Sequence, residues 1–288
     1  DIPKIMEEAF QLALNGRPGP VLIDIPMDIQ RAHIKPYQEV QASLKKVKIE
    51  ALIIDELIKD IKTAKKPLIL AGRGIKAGKT QEDFNQFVET TKIPVITTLL
   101  GLDTISYLHQ QRVGFIGSYG NRWANIAFGE CDLLIVLGAR LDIRQTGADT
   151  TFIANRKIYH IDCEFAEINN RVKGCKAVVS ELNQFFAQFN DAVFGTIFNF
   201  PYNWITYINE LKEKWLDVNE LNPVGINPNV FMHKLSRKSN LAKAYLADVG
   251  SHQMWAAQSL EITNGQYFLT SGGMGAMGFS LPAGIGAS

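Results

Sequence analysis

Residues 65–78 read KKPLILAGRGIKAG, and this stretch decides the fold class. Two lysines give way to a wholly apolar run, Pro67-Leu68-Ile69-Leu70-Ala71, which runs into a glycine turn, Gly72-Arg73-Gly74. A run without polar alternation predicts a strand buried on both faces. The pattern recurs on either side. A helix over about 50–63 precedes this strand, and a helix over 80–91 precedes Pro94-Val95-Ile96-Thr97-Thr98-Leu99. A helix near 121–128 precedes Asp132-Leu133-Leu134-Ile135-Val136-Leu137-Gly138, and two shorter strands follow at 157–162 and 177–179. Buried strands alternating with helices predict an α/β domain over 49–189, a doubly wound parallel sheet of five or six strands covered on both faces. Such sheets bind ligands at the carboxyl ends of their strands.

Composition leaves room for little else. The chain has 288 residues, 46% hydrophobic and 20% charged, with a net charge of +1. That balance gives no electrostatic reason to expect nucleic acid or an anionic membrane as partner. No apolar run approaches the roughly 20 residues of a membrane span. Cys131, Cys163 and Cys175 are odd in number and share no metal-ligand spacing, which reads as reduced core thiols of a cytoplasmic protein.

Outside the central region the pattern is thinner. An amphipathic helix is expected over 4–15, broken by Gly16-Arg17-Pro18-Gly19-Pro20, then a buried strand at Val21-Leu22-Ile23-Asp24-Ile25-Pro26. One helix and one strand cannot make a core, so residues 1–30 belong with other material. Residues 31–48 are polar and aperiodic, a linker, and 190–203 read as a second. Helices over 203–218 and 228–240 and a strand at 243–248 lead into a final segment, 204–288. There two glycine-rich turns, Gly250-Ser251-His252 and Gly272-Gly273-Met274-Gly275, each follow a strand-like run. The small-residue run after them, with Pro282, reads as a buried helix.

Three loops could carry chemistry. Gly72-Arg73-Gly74-Ile75-Lys76-Ala77 fits the loose dinucleotide pattern G-x-G-x-x-A, but the next strand ends in Thr97-Thr98-Leu99-Leu100-Gly101. The ribose-binding carboxylate expected there is missing, which argues against a nicotinamide cofactor and an NAD-dependent oxidoreductase. Gly117-Ser118-Tyr119-Gly120-Asn121 precedes a helix, and Gly138-Ala139-Arg140-Leu141-Asp142-Ile143-Arg144 leaves a strand. Two arginines on one exit loop suit a pyrophosphate or a carboxylate. The plain alternatives are a tight turn, a solvated loop and, for the whole domain, a non-catalytic nucleotide-binding module.

The stretch 247–288, with SHQMWAAQ and SGGMGAMGFSLPAGIGAS, resembles the thiamine-diphosphate-dependent acetohydroxyacid (acetolactate) synthase family. There GQHQMWAAQ is followed by a strand and by SGGLGAMGFGLPAAIGA. The likeness extends to GRPGPVLIDIPMDI at 16–29 and to about 65–182. It implies an internal piece of a longer protein: the end of a pyrimidine-binding domain, the central domain, and the start of a diphosphate-binding domain. The implied activity is decarboxylation of pyruvate and carboligation to a second 2-keto acid, with thiamine diphosphate, Mg2+ and a structural FAD as cofactors. Carried over, Ser251, His252, Gly275 and Met277 contact thiamine diphosphate. Arg17, Gly72, Gly74, Thr98, Tyr119, Gly120, Arg140, Asp162, Cys163 and Glu181 line FAD, and Arg144 meets the substrate carboxylate. The family's activating glutamate falls before residue 1 and its metal motif after Ser288, so no catalytic or metal residue is expected here. A homodimer or homotetramer with a regulatory subunit is implied as well.

The departures are specific. Tyr119 replaces the family's histidine, Met27 a lysine, Ile143 an aspartate and Ser251 a glutamine. Loss of polar groups at Met27 and Ile143 predicts altered selection of the acceptor, with a keto sugar or an aldehyde as the alternative to a keto acid.

Overall fold

The computed structural model describes residues 2–14, 17–33, 50–149, 151–153, 156–198, 202–220 and 222–288. The chain divides into two compact units, Asp1–Lys48 and Ile49–Ser288. In the first, α1 (Ile2–Leu14) is the expected amphipathic helix, and a short α2 (Met27–Gln30) follows. Between them Val21–Pro26 is not a strand, and Leu22 is 95% exposed. The apolar run has β character, but a strand exists only with a partner, and none pairs with it among the described residues. Most of the expected linker, from 34 to 48, lies outside the described residues.

The second unit runs α3 (Ala51–Thr63), β1 (Pro67–Ala71), α4 (Gly74–Ala77), α5 (Gln81–Thr91), β2 (Val95–Thr97), β3 (Arg112–Phe115), α6 (Arg122–Glu130) and β4 (Leu133–Leu137). Then come α7 (Ile143–Thr146), β5 (Lys157–Asp162), β6 (Lys176–Val179), α8 (Leu182–Ala192), α9 (Tyr202–Lys214) and α10 (Asp217–Glu220). It ends with α11 (Pro228–Lys238), β7 (Ala244–Ala247), α12 (Ser251–Ser259), β8 (Tyr267–Thr270) and α13 (Ser280–Ala287). The first six strands form one sheet in the order β3-β2-β1-β4-β5-β6, every pair parallel. This is the doubly wound order, reversing direction between β1 and β4.

Side chains of a strand alternate between faces, and the core divides accordingly. Ile69, Ile135, Leu137, Tyr159 and Ile161 face one layer, where α5 and α8 contribute Phe84, Phe87, Phe185, Phe186 and Phe189. Phe87 and Phe189 meet edge to face at 4.7 Å between centroids, a favoured aromatic geometry. Leu68, Leu70, Leu134, Val136 and Ile158 face the other layer, under Trp123 and Phe128 of α6 and Trp204 and Ile208 of α9.

β7 and β8 form a separate parallel pair. A third apolar cluster, including Leu102, Phe115, Ala256, Leu260, Ile262 and Phe268, joins it to the large sheet. Polar bonds reinforce that seam: Tyr107 N–H donates to Ile262 O at 2.7 Å, and Phe268 N–H to Asp103 Oδ2 at 2.8 Å. The same Asp103 oxygen holds Lys76 Nζ of α4 at 2.6 Å. The final helix α13 differs from expectation. It forms, but none of its residues is buried, and Leu281 and Ile285 are 74% and 71% exposed. Its composition suits burial, but its amino end is held by the Asp248 carboxylate at the end of β7.

A buried charge cluster ties α10, α11 and the loop after α12 together. His233 donates from Nε2 to Asp217 Oδ2 at 3.0 Å and from Nδ1 to Glu261 Oε1 at 2.8 Å. Ser259 Oγ also donates to Asp217, and Arg237 forks onto both oxygens of Glu261. Burial disfavours the charge on His233, but the two carboxylates outweigh it and hold its pKa above the usual value. Burial likewise works against Asp217 and Glu261. It is outweighed by His233 and Ser259 at the first and by Arg237 and His233 at the second, so both titrate below the usual range. A raised histidine stabilises the fold fully below its unfolded pKa of about 6.5 and loses that contribution as pH rises through the folded value. Depressed carboxylates act oppositely, losing theirs as pH falls below about 4. Denaturant unfolding at pH 5 to 8 should therefore show His233→Gln less stable by about 1–2 kcal/mol at the acid end, with the gap closing at the alkaline end. A gap that does not change with pH would mean the histidine is neutral in the fold.

Candidate functional site

Between β1 and β4, where the sheet reverses direction, two exit loops are fused backbone to backbone. Gly74 N–H donates to Gly138 O at 3.0 Å and Gly72 N–H to Leu137 O at 2.9 Å. A Cβ on Gly72 would lie 2.1 Å from Gly138 O, and one on Gly74 2.6 Å from Gly138 Cα. Gly138 itself has φ 58°, a conformation side chains resist. The G-x-G pattern is thus explained by loop-on-loop packing at the carboxyl edge, the edge where doubly wound sheets bind ligands.

Several candidate residues stand along that edge. Thr98 follows β2; it is buried, and its N–H donates to Ala71 O at 3.0 Å. Asp162 ends β5, and its Oδ1 accepts from Glu164 N–H at 2.9 Å. Cys163 is partly buried; desolvation, then the charge of Asp162, pushes its thiol up to about 11. It is therefore a neutral packing group and not a nucleophile. Cys131 and Cys175 are buried and free, each also pushed up to about 11 by burial. Glu181 is exposed at the N-cap of α8. The Arg140 guanidinium is half-exposed and loosely held, 3.5 Å from Asp142 Oδ2 and 4.0 Å from Glu167 Oε1.

The loop after β3 carries Tyr119 and Gly120. It is folded on itself by Asn125, which accepts from Gly117 N–H at 3.0 Å and donates to Gly117 O at 2.9 Å. Gly120 lies so close to Phe115 O that a Cβ would approach within 2.6 Å. Tyr119 projects a 63% exposed ring. Arg17 is an exposed residue of the first unit.

The other candidates cluster around the second sheet. Gly250 caps α12, placing Ser251 and His252 in its exposed first turn, where N–H groups lack partners within the helix. That is an anion-binding geometry. Gly275 has φ 72° and nothing within 4 Å of the place a Cβ would take. Met277, 82% exposed, follows on the same turn. Asp248, which sequence reasoning missed, organises this corner. Its carboxylate accepts from the N–H groups of Val249 at 3.0 Å, Gly278 at 2.9 Å, and Phe279 and Ser280 at 3.4 Å. Desolvation opposes its charge, and these donors outweigh it, keeping its pKa below the usual range. The available signal was a carboxylate directly after a strand and just before a glycine turn.

Arg144 joins the two halves of the site. Asp142 caps α7, accepting from Arg144 N–H at 2.9 Å, while Arg144 Nη1 reaches Gly272 O at 2.8 Å in the glycine turn after β8. Gln258 at the end of α12 donates to Tyr119 O at 2.7 Å, and Asn121 Nδ2 donates to Gln258 O at 3.3 Å. The loops leaving β3 and β4 are thereby stitched to the C-terminal segment. Among the described residues no group of His, Cys, Asp or Glu is placed to hold a metal ion, and no helix is long and apolar enough to cross a membrane.

With that geometry in view, comparison with known proteins agrees region by region. Residues 54–189 match the family model for the thiamine pyrophosphate enzyme central domain, and 248–288 that for the C-terminal thiamine pyrophosphate binding domain. Among curated relatives, the acetolactate synthase large subunit of Lactococcus lactis is 36% identical over 294 residues, covering 100% of this chain and 50% of that protein. Acetolactate synthase isozyme 2 large subunit of Escherichia coli is 33% identical over 289 residues, with 100% and 51% covered. Acetolactate synthase 1, chloroplastic, of Nicotiana tabacum is 34% identical over 299 residues, with 100% and 44% covered. The chain spans about half the length of these relatives.

Proposed function

The chain belongs to the thiamine pyrophosphate enzyme family, and from that premise we propose that the protein containing it is a thiamine-diphosphate-dependent transferase that decarboxylates pyruvate and joins the two-carbon unit to a second 2-keto acid. The observation that carries this is the Asp248 corner. One carboxylate ties the loop between β7 and α12 to the turn leading to α13. The residues fit the cofactor: free N–H groups at Ser251 and His252 suit a diphosphate, and the open face of Gly275 and the exposed thioether of Met277 suit a heterocycle. Thiamine diphosphate supplies the electron sink for decarboxylation. The chain's own residues bind its charge, present an apolar wedge, and through Arg144 offer a cationic fork to a carboxylate. Mg2+ would be held by residues outside those described.

FAD belongs to the same proposal, bound along the carboxyl edge of the large sheet. Thr98, Cys163 and the packed glycines would support it, with Asp162 and Glu181 toward the adenosine and Arg140 toward pyrophosphate and flavin. In the full-length protein, Arg140→Ala should lose bound flavin, read as the visible absorbance after gel filtration. Stoichiometric flavin in that variant would remove Arg140 from the site. The proposed domains are 1–30, 49–189 and 204–288, the last two coinciding in large part with the regions matched by the family models. A homodimer or homotetramer, a regulatory subunit and a cytoplasmic location are further parts of the proposal; two tobacco relatives named chloroplastic mark the alternative location.

A second reading, an aldehyde or keto-sugar acceptor, draws on Met27 and Ile143, both more than half exposed. Against it stands the bond from Arg144 to Gly272 O, which positions the guanidinium without the missing aspartate. The full-length enzyme, given pyruvate as donor and 2-ketobutyrate in competition with a neutral aldehyde, should prefer the keto acid. Arg144→Ala should cut that preference about tenfold or more. Equal use of both acceptors by the unaltered enzyme would favour the second reading.

A further inference from the structure

Beside Arg112, at the amino end of β3, lies a crevice of about 330 Å3. That volume is in the range of small-molecule sites. Its charges do not balance. Asp217 and Glu261 are already bonded to His233 and Arg237. Three further cations line the same space: Arg112 on β3, Lys212 on α9 and Lys234 on α11. None of the three forms an ion pair or a side-chain hydrogen bond among the described residues, and Arg112 Nε is buried without a partner. Arg112 and Lys212 also converge on one ring, lying 4.8 Å and 5.7 Å from the Tyr107 centroid.

A guanidinium with its Nε buried and unbonded is costly unless a counter-charge is supplied, and an aromatic face offsets only part of that cost. Burial depresses the proton affinity of both Arg112 and Lys212, and the nearby carboxylates offset only part of it. Apart from Gln258 the remaining wall is apolar, with Trp123, Leu216, Val218 and Val230. The missing partner therefore needs more than one negative oxygen group and a small apolar body. We propose that this crevice is an oxyanion site for a small organic phosphate or polycarboxylate, with its charged groups on Arg112, Lys212 and Lys234 and its body against Tyr107 and Trp123. Because the lining comes from β3, α9 and α11, an occupant would clamp the large sheet to the helices that lead into the C-terminal segment. The proposal does not rest on the thiamine reading.

The test is isothermal titration of the full-length protein, saturated with thiamine diphosphate and Mg2+ so that the diphosphate site is filled. Inorganic phosphate, phenyl phosphate and citrate are the probes, at matched ionic strength. Saturable one-to-one binding is expected, tighter for phenyl phosphate than for inorganic phosphate if the apolar wall contributes. Lys212→Gln should weaken it about tenfold or more, and adding Lys234→Gln should abolish it. Thermal unfolding without probe verifies that the variants fold; Lys234→Gln alone, at an exposed position, gives a second reading if Lys212→Gln is unstable. Binding of citrate alone would assign polycarboxylates, and of the phosphates alone, phosphate esters. No saturable heat from any probe up to about 10 mM, or heats unchanged in the double variant, would overturn the proposal.

Discussion

Gly72→Ala should cost more than about 3 kcal/mol and leave little folded protein, although it adds one methyl group. The new Cβ would stand 2.1 Å from Gly138 O and 2.7 Å from Ala139 Cβ, and neither can yield. Gly138 sits at φ 58° and donates its own N–H to Ile161 O at 3.0 Å, so the β4 loop is pinned from its far side. A domain of this kind has about 5–15 kcal/mol in total, so the loss approaches the whole margin. Gly129→Ala is the matched control. That glycine lies in α6 with nothing within 4 Å of a Cβ, and the change should be neutral or stabilising by about 0.5 kcal/mol. Denaturant midpoints of the two variants decide. Similar midpoints would mean that the exit loops can separate at little cost.

Asp248→Ala should weaken thiamine diphosphate binding in the full-length protein on the order of 10- to 100-fold, the loss typical when a group that orients binding residues is removed. The carboxylate need not touch the cofactor. Its removal strands the N–H groups of Gly278, Phe279 and Ser280 and unties the turn bearing Gly275 and Met277 from β7. Hydrogen exchange in 275–287 should rise in the same variant, while β1 and β4 stay protected. Undiminished affinity would show that the turn is positioned by other contacts.

Legibility in the sequence followed the range of the interactions. β1 and β4 stand out because they are central and apolar throughout. β3 escaped individual notice because an edge strand needs only one covered side. Its Arg112 turns toward the crevice, and its Gly114 leaves room for the Asn121 carboxamide, which a Cβ would approach within 2.8 Å. The stretch 21–26 met the same apolar criterion as β1 and formed no strand, because pairing is decided by distant residues and not by the run itself. For α13 the composition stated a capacity for burial but not what covers it. Asp248, Gln258 and Asn121 act through bonds to residues 30 to 139 positions away, and no local pattern announces such partners.

The seam between the large sheet and the C-terminal segment is asymmetric in its chemistry. Three bonds have side-chain donors, Gln258, Asn121 and Arg144, and main-chain carbonyl acceptors, those of Tyr119, Gln258 and Gly272, while the Asp103 carboxylate, accepting from Phe268 N–H, is the reverse case. A carbonyl is present whichever amino acid occupies its position. Tyr119 can stand where the family has histidine without loosening that bond. The three donors allow no such exchange. Anyone grafting the C-terminal segment of a relative onto this sheet would have to preserve an amide at 258, an amide at 121, a guanidinium at 144 and a carboxylate at 103, and could leave the rest of the joint to the backbone.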